Sequence, residues 1–183
     1  NISSGETAVE LALAAARQGA ETELWHASMS VSVPDFIKSK KFESVNDLIK
    51  MIPDESEYDI VLVPAALSDY SPVRQKGKIS SDEEQITLTL TKLPKVLPQL
   101  RRTARFLAGF KAESTGGEEL IKKAKARMDE NSLDMIVANN ILDVSEGKTK
   151  SKIILKDGTI ETFEGSKAEL AERIIESIAE HIE

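Results

Sequence analysis

The sequence predicts an α/β fold, a three-layer α/β/α sandwich with a mostly parallel central sheet and a late β-hairpin. Three apolar runs, each ending in small or amide-bearing residues, lie at 59–70, 105–114 and 133–140. Runs rich in Ile, Val and Leu are typical of parallel strands that are buried on both faces. Because ligands of such sheets lie beyond the carboxyl ends of the strands, we expect the three ends to form one crevice.

A helix opens the sequence. Ser3 and Glu6 have the spacing of a capping box, small apolar residues follow at helical spacing, and Gly19 is placed to end the helix. A parallel α/β domain normally opens with a strand that leads into such a helix. We therefore expect the first strand of the sheet to lie outside this sequence.

The remaining elements alternate between strands and helices. In order, we predict a strand at 20–26, a short strand at 42–45, a helix at 45–52, the strand that starts at Asp59, a period-two strand at 85–90, a helix at 94–102, the strand at 105, a helix at 118–130, the strand at 133, a hairpin at 151–163 and a helix at 167–182. The hairpin has Asp157-Gly158 at its turn, a pair that favours tight β-turns. Residues 28–41 and 68–84 are predicted as polar connections.

Composition limits the class of protein. The 183 residues fit a single domain, 1–183, with 40% hydrophobic and 30% charged residues. A net charge of −7 argues against a nucleic-acid partner, and the absence of cysteine excludes thiolate catalysis and Cys-ligated zinc. No apolar stretch approaches the ~20 residues of a membrane span and no signal-peptide pattern is visible. We expect a cytoplasmic protein with no membrane partner.

Familiar nucleotide-binding motifs are absent. Gly147-Lys148-Thr149 ends like a P-loop, but Leu142 stands where that motif requires glycine. No Gly-x-Gly-x-x-Gly follows a strand, and neither Tyr58 nor Tyr70 has a lysine four residues later, as a short-chain dehydrogenase would. These absences count against a nicotinamide-dependent oxidoreductase, although a strand outside the sequence leaves that alternative open.

Five segments in order carry a resemblance to a known family. They are Asn1–Gly5, 65–70, Lys78-Ile79, 109–114 and 133–139. The whole chain resembles phosphopantothenoylcysteine synthetase, the ligase that bacteria and archaea commonly fuse behind a flavin-dependent phosphopantothenoylcysteine decarboxylase. The resemblance implies a Rossmann-like fold whose first strand ends in a glycine-rich turn.

The resemblance also implies a two-step ligation in coenzyme A biosynthesis. The carboxylate of 4'-phosphopantothenate attacks CTP to give an acyl-cytidylate and pyrophosphate, and the amine of cysteine then displaces CMP. Mg²⁺ and basic residues are expected to neutralise the phosphates, and a loop is expected to cover the reactive intermediate. The family works as a homodimer. The metal ligands are not assigned.

Two residues are implied to be catalytic. Asn1 matches the asparagine that holds the acyl-nucleotide, and Lys78 matches the first lysine of a mobile flap, although serines occupy positions 80 and 81, where the family has lysines. Ser4 and Gly5 lie at the start of the first helix, where free backbone amides favour an anion.

The nucleotide is implied to bind at the ends of two strands. Ala65 and Ala66 would let a base or ribose approach the backbone, and Asp69 would accept from a ribose hydroxyl or a cytosine amine, or hold a metal through water. Phe110 would stack on the base. Pro94 is the residue retained from the family's nucleotide loop, which reads Leu-Pro-Lys-Val here.

Positions 127 and 131 match two further lysines of the family, which face the triphosphate, and neither position is lysine in this sequence. Arg127 keeps the charge and can bind phosphate with two donors, whereas Asn131 carries no charge. Lys123 lies one turn before Arg127 and is a possible substitute. Because flap and helix lysines are replaced, a non-catalytic nucleotide-binding module descended from the ligase stays open as an alternative. Asn139 matches an asparagine at the last strand end, with no role assigned.

Overall fold

The structure, a computed structural model, describes residues 4–55, 58–73, 77, 85–140 and 148–182. Its helices are α1 (Glu6–Arg17), α2 (Val45–Met51), α3 (Leu97–Leu100), α4 (Gly117–Glu130) and α5 (Lys167–Ala179). Its strands are β1 (Glu23–His26), β2 (Lys38–Lys41), β3 (Tyr58–Val63), β4 (Tyr70–Pro72), β5 (Leu90–Lys92), β6 (Ala104–Glu113), β7 (Met135–Asn140), β8 (Thr149–Leu155) and β9 (Ile160–Gly165).

The central sheet has the strand order β3-β6-β7-β8-β9. The first three strands are parallel to one another, and β8 and β9 are antiparallel additions joined by the predicted Asp157-Gly158 turn. Gly158 has φ +98°, a conformation that favours glycine. The three apolar runs of the sequence are therefore neighbouring parallel strands, as predicted, and their carboxyl ends lie side by side.

Alternate residues of the central strands point to opposite faces, and each face is covered by helices. On β6, Phe106 and Ala108 pack with α1 and α5, whereas Leu107 packs with α2, α3 and α4. On β7, Met135 and Ile136 divide in the same way. Burial on both faces explains the continuous apolar runs of β6 and β7. β3 is the terminal strand of the described sheet, and its residues are only partly buried or exposed, so the expectation of burial on both faces is wrong for this strand. The arrangement confirms the three-layer α/β/α sandwich.

A second sheet consists of the parallel strands β1 and β2. Leu24 of β1 and Ile37, the residue before β2, pack against Val9 and Ala12 of α1. Within the described residues no strand precedes α1, and the β1–β2 sheet has no hydrogen bonds to the central sheet. The strand that we expect ahead of α1 stays a prediction.

The short strand predicted at 42–45 is wrong, because the strand is β2 at Lys38–Lys41. The sequence Lys-Ser-Lys-Lys has no apolar alternation, and all four residues are exposed. They become a strand through pairing with β1, in a register that places Lys38 and Lys40 beside Glu23 and Trp25. Exposed lysines at a sheet edge also discourage pairing with other chains.

Of the capping box predicted at Ser3 and Glu6, Ser3 lies outside the described residues. The helix begins at Glu6, and its N-cap residue is Gly5, which has φ +81° and makes no side-chain cap hydrogen bond. Glu6 instead contacts Lys167, the first residue of α5, at 2.5 Å. A true capping box is present at α5, between Ser166 and Glu169.

Two other predicted elements are shorter than expected. The period-two strand at 85–90 contributes only Leu90 to β5, which pairs with β4 as an antiparallel ribbon. The helix predicted at 94–102 is restricted to the four residues of α3.

The amino ends of β6 and β7 are held together by Asp134. Its carboxylate accepts from Arg101 and, at 2.9 Å, from the backbone amide of Leu107. Arg101 also donates to the carbonyl of Ala104 at 2.5 Å and to the carbonyl of Ser132 at 3.2 Å. Asp134 and Arg101 therefore hold together the amino ends of β6 and β7. These ends lie at the edge of the sheet opposite to the carboxyl ends, where we expected the ligand.

Candidate nucleotide site

The carboxyl ends of β3, β6 and β7 form one edge of the sheet. Val63 pairs with Gly109, and Glu113 pairs with Asn140. Ala65 and Ala66 lie just beyond β3, after Pro64, and both are exposed. These alanines are therefore open to a ligand and do not serve to pack the sheet.

Gly109 is required by the packing behind this edge. A Cβ atom at this position would lie 2.6 Å from Cδ1 of Leu133, closer than real Cβ contacts allow. The glycine of the motif at 109–114 therefore lets β6 and the buried Leu133 approach each other, and it needs no ligand to explain it.

A charged cluster lies at the end of β6. Glu113 contacts Lys111 at 2.8 Å and Lys123 at 3.3 Å, and these two lysines hold the pKa of the Glu113 carboxyl below its usual range. Lys123 also contacts Glu119 at 3.0 Å, and both carboxylates raise its pKa. Lys123, the substitute considered for a phosphate-binding lysine, is therefore engaged by two carboxylates at this end of α4.

A separate pocket brings together four of the residues that the sequence indicated: Asp69, Pro94, Arg127 and Asn131. Its lining comprises Leu67, Ser68, Asp69, Pro94, Lys95, Val96, Leu97, Arg127 and Asn131. These residues come from three segments of the chain, the loop after β3, the approach to α3 and the end of α4. Their convergence on one pocket depends on the tertiary fold.

The pocket does not lie where we expected the crevice. α4 connects two parallel strands, so it runs antiparallel to them and its last turn, with Arg127, lies near their amino ends. The loop after β3 turns back over the α3 and α4 face, where Leu67 packs in the core and the Asp69 carbonyl accepts from the Leu93 amide at 2.8 Å. The candidates are consequently divided between a strand-end edge and a lateral pocket.

The chemistry of the pocket centres on Asp69 and Lys95. Lys95 Nζ lies 2.6 Å from Asp69 Oδ1. The hydrogen bond from Lys95 and its positive charge lower the pKa of the Asp69 carboxyl, and the charges of Arg127 and Lys92 contribute less in the same direction. Lys95 lies in the segment that matches the family's nucleotide loop, but only Pro94 of that segment was predicted to bind the nucleotide. A lysine in a polar loop carries no local signal, and its partner is 26 residues away.

Arg127 and Asn131 have different environments. The Arg127 side chain is 34% exposed and contacts Glu130, which is largely exposed, at 3.4 Å. Asn131 is buried, and its Nδ2 donates to the Arg127 carbonyl at 2.9 Å. Asn131 thus satisfies a carbonyl of the last helical turn, and this accounts for a polar residue at a position where the family has lysine.

Ser4, Gly5 and Phe110 lie on the other face of the sheet. Phe110 is partly buried against the core formed with α1 and α5. The Ser4 carbonyl accepts from the Ser30 amide at 3.1 Å, and a Cβ atom at Gly5 would lie 2.3 Å from Sδ of Met29. The loop after β1 is therefore seated on the start of α1.

Two predicted catalytic residues, Asn1 and Lys78, lie outside the described residues. Within the described ranges, no three His, Asp or Glu side chains lie close enough together to hold a metal ion. In the same ranges no helix is long and apolar enough to cross a membrane. Asp69 is the one carboxylate that lines the described pocket, and one carboxylate with substrate phosphates is a common way to hold Mg²⁺.

Known proteins share both the sequence and the fold. A curated relative from Methanocaldococcus jannaschii, "Coenzyme A biosynthesis bifunctional protein CoaBC", is 37% identical, with 97% of this chain and 45% of that protein covered. The protein of the same name from Thermococcus kodakarensis is 31% identical, with the same coverage. This chain spans about half the length of these relatives.

A solved structure has the same fold. The "DNA/Pantothenate Metabolism Flavoprotein from Streptococcus pneumoniae" superposes with a TM-score of 0.84 at 22% identity, covering 99% of this chain and 90% of that one. The sequence profile of the DNA/pantothenate metabolism flavoprotein C-terminal domain matches residues 1–182. The chain therefore belongs to the family of DNA/pantothenate metabolism flavoprotein C-terminal domains.

Proposed function

We propose that this chain is the phosphopantothenate–cysteine ligase of coenzyme A biosynthesis. In this reaction CTP activates 4'-phosphopantothenate, which is then joined to cysteine by an amide bond. The observation that carries the proposal is the pocket lined by Asp69, Pro94 and Arg127, because resemblance to the ligase indicates these same residues for the nucleotide. The similarity to relatives named for coenzyme A biosynthesis supports the same conclusion.

The first step needs binding of a triphosphate in an acidic protein. A carboxylate oxygen of 4'-phosphopantothenate attacks the α-phosphorus of CTP, and the bond to pyrophosphate breaks. Arg127 would bind phosphate oxygens through its guanidinium, and the exposed Ala65 and Ala66 would let the nucleoside approach the backbone. Mg²⁺ bound with CTP would neutralise the phosphates and polarise the reacting group, with Asp69 as the described residue placed to hold it.

The second step transfers the acyl group. The neutral amine of cysteine attacks the acyl carbon, CMP leaves with the bonding electrons, and the amine proton is lost. We assign Asn1 to holding the acyl-nucleotide and Lys78 to neutralising charge on the reacting phosphate. Backbone amides at Ser4 and Gly5 would orient an anionic group at the start of α1.

We further propose that the ligase works as a homodimer. The ribbon of β4 and β5 and the segment leading into it carry large apolar side chains that are about half exposed, namely Tyr70, Val73, Ile86, Leu88 and Leu90. Such a concentration of exposed apolar residues on a ribbon is typical of an interface. A second copy of the chain would cover these residues.

The proposal is tested by assaying the purified protein with 4'-phosphopantothenate, cysteine, CTP and Mg²⁺. We expect pyrophosphate release and an amide product by mass spectrometry, with CTP more effective than ATP. Arg127→Met should lower kcat/KM at least about tenfold, since a charge-assisted contact to phosphate is lost. Arg102→Met removes the same charge from an exposed surface position and should leave the rate unchanged.

Thermal-shift measurements distinguish the alternatives. Stabilisation by CTP without product would favour a non-catalytic nucleotide-binding module, and selective stabilisation by NAD would favour an oxidoreductase. Higher activity with ATP than with CTP would overturn the choice of nucleotide and leave the ligation itself intact.

A further inference from the structure

The ion pair between Asp69 and Lys95 occupies the pocket but is not locked in it. Both side chains line the pocket, and they are 55% and 40% exposed. A pair this open to water gains little from its own attraction, because solvent screens the two charges and the flexible lysine keeps other conformations within reach. A ligand with several negative charges would therefore compete with Asp69 for Lys95.

The charges of the pocket favour an anion. Its lining includes two cations, Lys95 and Arg127, and one carboxylate, Asp69. The pocket therefore carries a local excess of positive charge in a chain whose net charge is −7. Such a local field attracts phosphate groups even when the protein as a whole repels them.

The backbone around the pair is held while the side chains stay free to exchange. The Asp69 carbonyl accepts from the Leu93 amide at 2.8 Å, which joins the two loops. The Lys95 carbonyl accepts from Nε2 of Gln99 at 3.1 Å, which ties the lysine to α3. With both backbones fixed, the ammonium group can change its partner by rotation of its own four-carbon stem.

We propose that Lys95 binds the phosphates of the nucleotide and that its ion pair with Asp69 is the resting state that the triphosphate replaces. This inference rests on the proposed function, because it names a residue that contacts that reaction's substrate. Binding releases the Asp69 carboxylate at the moment when the phosphates arrive. Asp69 is then available to a ribose hydroxyl or to a cation that accompanies the nucleotide.

Isothermal titration with two probes, CTP and inorganic tripolyphosphate, tests the exchange in the presence of EDTA. Lys95→Met should weaken the binding of both probes about tenfold, whereas Lys95→Arg should keep most of the affinity. Lys92→Met is the matched control, because Lys92 is exposed nearby and does not line the pocket, and it should change the affinity by less than about twofold.

Asp69→Asn gives a result of opposite sign. Without its partner Lys95 is free for phosphate, so tripolyphosphate should bind several-fold more tightly. In the double variant with Lys95→Met this gain should disappear, whereas a general loss of negative charge would preserve it. The double variant therefore distinguishes the release of Lys95 from Asp69 from a general loss of negative charge in the pocket.

Each remaining outcome decides a point. Unchanged affinity of Lys95→Met for both probes would overturn the role of Lys95, and a gain that persists in the double variant would overturn the exchange. Wild-type binding of tripolyphosphate but not of CTP, in EDTA and again with Mg²⁺, would contradict the proposed function and leave the anion site standing. Binding of neither probe in either buffer would contradict both.

Discussion

Glu23 gives the sharpest test of the physical reasoning, because three donors surround one carboxylate. Lys40 lies 2.8 Å from Glu23 Oε1, Lys38 lies 3.0 Å from Oε2, and the indole of Trp25 donates at 2.5 Å. Burial of the side chain, which is 14% exposed, raises the pKa, but hydrogen bonds from Lys40, Trp25 and Lys38 outweigh it and lower the pKa from 4.5 to about 2. We therefore expect Glu23→Gln to destabilise the protein at neutral pH.

The magnitude follows from linkage between protonation and folding. A pKa lowered from 4.5 to about 2 corresponds to roughly 3 kcal/mol of stabilisation by the charged form. Both lysines are more than half exposed, so screening reduces the expected loss to about 2 kcal/mol. Because the folded-state pKa of Glu23 is the lower one, this stabilisation is complete above pH 4.5 and is lost as the pH falls toward about 2.

Urea unfolding of wild type and variant as a function of pH measures this effect. The difference in unfolding free energy should be about 2 kcal/mol at neutral pH and should shrink steadily as the pH falls through about 4 and 3. Glu21→Gln, at an exposed position two residues away, is the control and should change little. Equal stability of the two variants at neutral pH, or a Glu23 difference that does not depend on pH, would refute the reasoning.

Two other predictions concern the sheet and the assembly. Asp134→Ala removes the acceptor of the Leu107 amide and the carboxylate partner of Arg101, whose largely buried guanidinium keeps only backbone carbonyls as partners, so it should cost about 3 kcal/mol in urea unfolding. Asp129→Ala, at an exposed position, should cost little. Leu88→Glu, at a side chain 56% exposed, should dissociate the dimer in analytical ultracentrifugation and abolish synthesis while circular dichroism stays unchanged. A wild-type monomer with full activity at micromolar concentration would contradict the dimer.

Much of the fold follows from local patterns. The three apolar runs predicted β3, β6 and β7, and the Asp157-Gly158 turn predicted the hairpin of β8 and β9. The strands β6 and β7 are buried on both faces and so leave a continuous apolar signature, and a tight turn requires particular residues at its tip. The run at β3 also predicted a strand, although its residues are only partly buried or exposed.

The candidate site was predictable only in part. Resemblance indicated Asp69, Pro94 and Arg127, and the structure brings them to one pocket. The resemblance placed Lys95 in the nucleotide loop without indicating it as a binding residue. It also suggested a ligand contact for Asn131, which lines the same pocket and donates to the Arg127 carbonyl; the ligand contact stays a prediction. The sequence does not reveal which group a buried amide at a helix end contacts, nor which group an exposed lysine in a loop contacts, because both partners are set by the fold.

The sequence by itself determined the strands β3, β6 and β7, the hairpin of β8 and β9 and the longer helices, because the periodicity and turn residues that mark them are local properties. Tertiary structure decided the rest. Lys38–Lys41 became a strand only by pairing with β1, since no apolar pattern marks it. The pocket exists because the loop after β3 folds back to the last turn of α4, where Asp69 meets Lys95, 26 residues away. Contacts between distant segments depend on the path of the chain, and no short stretch of sequence encodes that path.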